Sequence, residues 1–308
     1  MTSGEMRRVL DLGHLIGALE AAHRESRPEI ADGLIGPREG RYLIRSALNR
    51  NGPFGSKLIS IFPGNPDRHG LPSVQALLVL FDGTNGRPRA VLEATELTWW
   101  KTAADSGLGS RLLARPDSST LVVAGAGGLA PWLIRGHLAA QPSLSRVRIW
   151  NRTPGRAQDL AAELREEDIP AESVTDLEAA VRGADVVCTA TMAAKPFLKG
   201  EWLRPGTHVD LVGSFSPDTR EADADVLTAG PLFVDNRHTA LQVGEIMQPV
   251  KEGAIAVGDI RGDLYELVGG RCEPRTSPGQ ITVFKNAGGA HLDLIVGAAL
   301  LSLIEGNA

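Results

Sequence analysis

The spacing of apolar and polar positions changes along this chain, and the change divides it into two parts. Residues 7–24 carry apolar side chains at helical spacing (Val9, Leu10, Leu15, Ile16, Leu19) and stop before the polar run Arg24-Glu25-Ser26-Arg27-Pro28, which predicts an amphipathic helix. From residue 41 the pattern shortens to β-type runs at Tyr42 to Ile44, Lys57 to Phe62, Ala76 to Phe81 and Ala90 to Leu92. Their connectors are rich in Gly, Pro and Asn, as in Pro63-Gly64-Asn65-Pro66, so a mainly antiparallel domain is predicted. Thr98 to Ala114 then predicts a helix with Thr98 as its N-cap.

Beyond residue 118 strands and helices alternate. Strands are predicted at 118–124, 146–150, 185–189, 207–212 and 231–235, and helices at 128–140, 154–166 and near 176–182. Such alternation predicts a parallel, doubly wound sheet. The run Ile281-Thr282-Val283-Phe284-Lys285-Asn286-Ala287-Gly288-Gly289 reads as a strand and glycine turn feeding a closing helix, 290–304. That helix is apolar on most sides, so it is expected to be buried, against the N-terminal domain or in a subunit contact.

Length agrees with this division, since 308 residues exceed one core and domains run to roughly 100–200 residues. The net charge of −5 leaves no basic excess for a phosphate backbone, so nucleic-acid binding is not expected. Cys188 and Cys272 match no metal or redox spacing, no histidine spacing suggests a metal site, and a reducing cytoplasm is the expected compartment. The acidic Glu5 and Asp11 make the N-terminus unlike a signal peptide, and the apolar stretch Leu292 to Ile304 is too short to span a bilayer, so no membrane association is expected.

Candidate chemistry begins at Leu121-Val122-Val123-Ala124-Gly125-Ala126-Gly127-Gly128-Leu129-Ala130, an apolar strand running into a Gly-x-Gly-x-x-Ala turn and a helix. This is the geometry that sets a pyrophosphate on a helix N-terminus, and Pro131 falls in the first turn, where its missing N–H costs nothing. The next strand ends in Asn151-Arg152-Thr153, with Asn151 24 residues past Gly127, near the roughly 20 expected for the ribose-reading position. An acidic residue there would hydrogen-bond a free 2′-hydroxyl. An amide, a cation and a hydroxyl suit a 2′-phosphate instead, which points to NADP(H) over NAD(H). Gly125, Gly127, Gly128, Leu129 and Ala130 would cradle the pyrophosphate. Thr189, Ala190, Thr191 and Met192, at a later strand end, are positioned for the ribose and nicotinamide, with Ser214 and Phe215 approaching the ring.

Taken with Lys57, the block Leu97-Thr98-Trp99-Trp100-Lys101-Thr102-Ala103-Ala104, and Phe284-Lys285, these motifs resemble the ornithine cyclodeaminase/mu-crystallin family over about residues 40–300. The resemblance implies an α/β chain: a Rossmann dinucleotide-binding domain (116–286) plus a smaller, mainly antiparallel α+β substrate and dimerisation domain (1–115 with 287–308), completed by the C-terminal helix. It also implies a homodimer with its active site in the cleft between the domains. Cyclodeaminases of the family carry Gly-x-Asp-x-Pro, whose Asp handles the substrate amine, and hold NAD tightly. Here the segment is Gly213-Ser214-Phe215-Ser216-Pro217-Asp218-Thr219-Arg220-Glu221, with Phe215 where that Asp would stand. A phenyl ring neither accepts a proton nor pairs with an ammonium. The segment is similar instead to the family's ketimine reductases, which implies NADPH-dependent reduction of a cyclic ketimine acid, pyrroline-2-carboxylate or piperideine-2-carboxylate, to L-proline or L-pipecolate. The alternatives are an ornithine-cyclodeaminase-type lyase with bound NAD, an open-chain amino-acid dehydrogenase, and a non-catalytic NADP-binding protein.

Lys57 and Lys101 match family positions that bind the substrate carboxylate, with Lys101 standing where many relatives carry Arg, so that a point charge replaces a bidentate fork. A third cation is expected among Arg41, Arg45 and Arg50, with Arg45 favoured, and Asn65 and Thr102 are further candidates for hydrogen bonds to substrate or nicotinamide. For the proton donor two readings stand: Lys57, if neighbouring cations and burial lower its pKa, or a bound water. His291 reads as a helix-start residue satisfied by packing.

Overall fold

The computed structural model describes residues 1–37, 39–50 and 52–306; Asn307 and Ala308, at the end of the segment assigned above to the first domain, lie outside the described residues. Two compact units emerge, Met1–Lys101 with Gly289–Ala308, and Thr102–Gly288. The two units part inside the helix Thr95–Leu113.

In the first unit, among the described residues, five strands pair antiparallel in chain order: β1 (Glu29–Ile35), β2 (Arg41–Leu48), β3 (Phe54–Ile61), β4 (Val74–Phe81) and β5 (Pro88–Glu93). The fold class is the expected one, although β1 was not foreseen. Alternation gives the sheet two faces. Ala47, Ile59, Leu78, Leu80 and Leu92 are buried on the inner face; the helix Ala290–Ile304 packs on this sheet, and Leu12–Ala22 packs on that helix. Within the amphipathic stretch 7–24 the helix is shorter, Leu12–Ala22, and a separate short helix, Ser3–Met6, precedes it; Asp11 starts the longer one by accepting the amide of His14. The closing helix Ala290–Ile304 buries Leu292, Leu294, Val296 and Leu300 within this unit.

In the second unit eight strands form one parallel sheet: β6 (Thr120–Ala124), β7 (Arg146–Trp150), β8 (Ala171–Val174), β9 (Val186–Thr189), β10 (His208–Leu211), β11 (Leu232–Val234), β12 (Ile260–Asp263) and β13 (Thr282–Lys285). Their order is β12-β11-β13-β10-β9-β6-β7-β8. β6, β9, β10 and β13 are buried at every residue, as a sheet covered on both faces demands; β6 reads as a nearly continuous apolar run, whereas β10 and β13 carry the buried polar residues His208, Asp210 and Lys285. Connections run from β6 outward through β7 and β8, then return to β9 on the other side of β6. The crevice above the carboxyl ends of β6 and β9 is therefore the switch point where such sheets bind ligands. Among the described residues, no helix is long and apolar enough to cross a membrane.

Candidate active site

Three elements of the first unit converge on one carboxylate. Lys57 of β3 and Arg45 of β2 are cross-strand partners and share the inner face. Lys101 lies on the helix Thr95–Leu113, and Asp293 sits one turn into the closing helix. Lys57, Lys101 and Asp293 are each at most 3% exposed. Asp293 Oδ1 lies 2.8 Å from Lys101 Nζ and 3.2 Å from Lys57 Nζ. Lys101 Nζ also donates to the Gly289 carbonyl at 3.3 Å, and Lys57 Nζ to the hydroxyl of Thr98. Thr98 is thus no N-cap: the helix starts at Thr95, and the Thr98 hydroxyl donates to the Ala94 carbonyl while receiving the lysine.

Two buried ammoniums share one carboxylate, so the cluster carries excess positive charge. Burial is the largest influence on Lys57 and brings its pKa down to about 8; Lys101 and Arg45 push the same way, and Asp293 opposes them. For Asp293, burial raises the pKa, but Lys101 and Lys57 overcome it and hold the carboxyl below its ordinary value. The second carboxylate oxygen, Asp293 Oδ2, is buried without a hydrogen-bond partner among the described residues, as is Arg45 Nε, whose nearest acid is Asp32 at 3.8 Å. Of these two open atoms only Arg45 Nε is a donor, the kind of group an anion can use; Asp293 Oδ2 is an acceptor.

Asn65 and Thr102 are engaged elsewhere. Asn65 donates to the Pro72 carbonyl within its own loop, and the Thr102 carbonyl accepts from Asn286. Arg41 and Arg50 lie on or beside β2, but Arg50 is exposed and paired with Glu29. His291 is fully buried, edge-on to His23 at 5.8 Å, and burial first, then His23, holds its pKa well below the ordinary value. It is a neutral packing residue.

In the second unit the glycine turn follows β6 as the strand–turn–helix reading requires. Gly125 has φ +130°, and a Cβ there would lie 2.5 Å from the Ala190 carbonyl oxygen, so only glycine brings these two strand ends together. Gly127 and Gly128 are exposed ahead of the helix Ala130–Ala140, whose N-cap is Leu129, and a Cβ on Gly127 would meet open space. The turn is tied to the end of β7: Gly125 N–H donates to the Trp150 carbonyl and Ala126 N–H to Asn151 Oδ1. Asn151 donates in turn to the Thr153 carbonyl, which leaves its amide structural. Arg152 and Thr153 are exposed, with Arg156, which the sequence reading passed over, in the first turn of the helix Pro154–Glu166 that follows.

At the neighbouring strand ends Met192 and Phe215 are 76% and 63% exposed, unusual for large apolar side chains, whereas Thr189 is buried and Ser214 spends its hydroxyl on the Thr219 carbonyl. The fold also assembles one group that spacing did not reveal. His137 Nε2 and Cys188 Sγ both reach Asp210 Oδ2, at 3.1 and 3.4 Å, and Ser110 bonds His137 Nδ1. These groups form a fully buried polar cluster through the sheet, in which Asp210 Oδ1 has no hydrogen-bond partner among the described residues.

A family model described as ornithine cyclodeaminase/mu-crystallin matches residues 38–301. The chain belongs to the ornithine cyclodeaminase/mu-crystallin family. Within that family it is 44% identical to the Delta(1)-pyrroline-2-carboxylate reductase of Paracoccus denitrificans, over 94% of this chain and 92% of that one. Among solved structures of the family, the Thermococcus litoralis Delta(1)-pyrroline-2-carboxylate reductase in complex with NADH and L-proline superposes with a TM-score of 0.92 at 29% identity, covering 99% of this chain and 98% of that one. An archaeal alanine dehydrogenase dimer with bound NAD gives the same TM-score and identity, with coverage of 100% and 96%.

Proposed function

We propose that the protein reduces a cyclic ketimine acid, pyrroline-2-carboxylate or its six-membered homologue, to the corresponding L-amino acid with NADPH. The observation that carries this reading is the buried Lys57–Asp293–Lys101 cluster, a site for a small carboxylate in a chain whose relatives act on such acids. Phe215, standing where cyclodeaminases hold an acid, supports reduction over deamination.

The dinucleotide suits the residues present. Gly127 leaves open space before a helix N-terminus with Gly128 exposed next to it, and Met192 and Phe215 offer apolar surface at the neighbouring strand ends. Arg152, exposed after β7, is the cation proposed to select the 2′-phosphate, with Thr153 and Arg156 beside it. When bound, NADPH supplies the hydride that reduces the C=N bond.

Lys57, Lys101 and Arg45 hold the substrate carboxylate and fix the ring by its anionic end. The ring nitrogen must gain a proton as C2 is reduced, and Lys57, with its pKa near 8, is both charged at neutral pH and acidic enough to give one up. The sign follows: the protonated lysine is the active form, so kcat is highest below about pH 8 and falls as pH rises through that value. Asp293→Asn removes the attraction that holds the Lys57 proton, so the alkaline limb of the kcat–pH profile is expected to move to lower pH. An unmoved limb in that variant would show that Lys57 is not the titrating donor.

We further propose a homodimer formed through the outer face of the first unit's sheet. Tyr42, Leu77 and Val91 there are 40–55% exposed and lie on neighbouring strands with Leu58 and Val79 between them, apolar side chains interspersed with Ser56 and Ser60 that a monomer would leave wet. Leu77→Asp is expected to halve the mass seen by light scattering; a monomeric wild type would exclude this pairing.

The function is tested by following nicotinamide absorbance with NADPH and NADH against pyrroline-2-carboxylate, piperideine-2-carboxylate, and pyruvate with ammonia, and by assaying ammonia release from ornithine. Coenzyme oxidation by a cyclic imine without ammonia from ornithine is expected. Ammonia from ornithine, or turnover of pyruvate with ammonia alone, would assign a different reaction.

A further inference from the structure

Glu221 lies outside both constellations described above, yet its side chain accepts four hydrogen bonds. Its side chain is fully buried. Oε1 accepts the amide of Thr191 at 2.6 Å and the Thr191 hydroxyl at 2.7 Å; Oε2 accepts the Thr189 hydroxyl at 2.6 Å and the amide of Gly213 at 2.7 Å. One carboxylate thus joins the segment leaving β9 to the segment leaving β10, with all four bonds to chain that follows or ends a strand. Gly213 shows how close the two segments run: a Cβ there would fall 1.9 Å from the Thr191 carbonyl oxygen.

Glu221 is itself held rigidly. Its amide and that of Ala222 donate to the two oxygens of Glu245, both at 2.8 Å, and its carbonyl accepts from Phe197 and Leu198. The Glu245 amide donates to the Ser214 hydroxyl, returning the network to the β10 loop. Buried Lys285, on β13 beside β10, supplies positive charge near both acids and donates to the Leu211 carbonyl at 2.9 Å. Each carboxylate oxygen meets one backbone N–H, which can only donate, and one Thr hydroxyl; these bonds favour the ionised form, while burial acts against it and raises the pKa.

The segments so joined carry Met192 and Phe215, the exposed apolar pair at the carboxyl ends of adjacent strands. We propose that Glu221 is a positioning residue that sets the spacing of the β9 and β10 loops and so shapes the nicotinamide half of the dinucleotide site, without touching the coenzyme. The inference rests on the dinucleotide reading given above. It goes further in separating the two halves of that site: Arg152 and the end of β7 serve the adenosine half, and Glu221 serves the other half alone.

The test compares Glu221→Gln with wild type in two titrations by calorimetry: with NADPH, and with whichever of 2′,5′-ADP and 5′-AMP the wild type binds. Glutamine has the size of the native side chain but in either orientation turns its NH2 toward a backbone N–H, of Thr191 or of Gly213, so that one loop shifts, and NADPH affinity is expected to fall about tenfold while adenosine-half affinity stays within about twofold. Adenosine-half binding also reports that the variant is folded. Thr189→Val, which removes one of the four bonds at a fully buried position, is expected to weaken NADPH in the same direction by a smaller factor and serves if Glu221→Gln does not fold. Unchanged NADPH binding in the folded variants, or an equal loss of both ligands, would overturn the positioning role while leaving the dinucleotide reading intact. A wild type that binds neither NADPH nor an adenosine-half ligand would overturn that reading first.

Discussion

Lys57→Met is expected to lower kcat/KM for the cyclic imine by about 10³-fold or more, the largest effect of any single change in the first unit. Two losses combine. Removing one cation of a buried, hydrogen-bonded charge pair costs about 2–5 kcal/mol, and a positioned proton donor contributes roughly 10²–10⁴-fold. The two are separable, because Lys57→Arg keeps the charge but not a proton that leaves near pH 8. In that variant KM should change little while kcat falls and its alkaline limb disappears. Thermal melts guard against a trivial explanation, since Lys57 also neutralises Asp293 in the core. A folded Lys57→Met enzyme within tenfold of wild type would remove the cluster from the mechanism.

The second large effect is expected at the other end of the reaction. Arg152→Asp should lower kcat/KM with NADPH by about 10²-fold and leave NADH within a few-fold, because a charge-assisted contact worth about 1.5–3 kcal/mol is replaced by repulsion against a dianion. Arg152 is exposed, so the substitution leaves the core undisturbed. Equal changes with both coenzymes would show that the guanidinium does not read the 2′-phosphate.

The parts of the fold legible in the sequence were those where local pattern and tertiary demand agree. β7 and the helices Pro154–Glu166 and Ala290–Ile304 fall on the residues read from periodicity, because each is strongly apolar on its buried side and bounded by Pro, Gly or polar residues. β1 was illegible for a physical reason: Glu-Ile-Ala-Asp-Gly-Leu-Ile contains Asp32-Gly33, a turn signal, and as an edge strand it buries no residue fully, so no alternation marks it. β8 and β12 are four-residue edge strands with one face exposed in part, too short to show a period.

The site divides in the same way. Lys57 and Lys101 came from motif position, and the fold brings their ammoniums to one oxygen. Asp293 was missed, although a signal was present: an acid between Leu292 and Leu294, in a helix apolar on nearly every side, needs a buried cation partner. Glu221 had no comparable signal. Its four donors come from residues 8 to 32 positions away, on two strands whose adjacency only the assembled sheet creates.

The central claim is that a small acid held by the Lys57–Lys101 cluster is reduced at C2 by the dinucleotide. It is tested most directly by turnover of pyrroline-2-carboxylate with NADPH carrying deuterium at both positions of nicotinamide C4, followed by NMR of the isolated product. L-Proline labelled at C2, formed in proportion to coenzyme oxidised and suppressed in Lys57→Met, is the predicted result. Proline without the label, or no proline while ornithine yields ammonia, would contradict it.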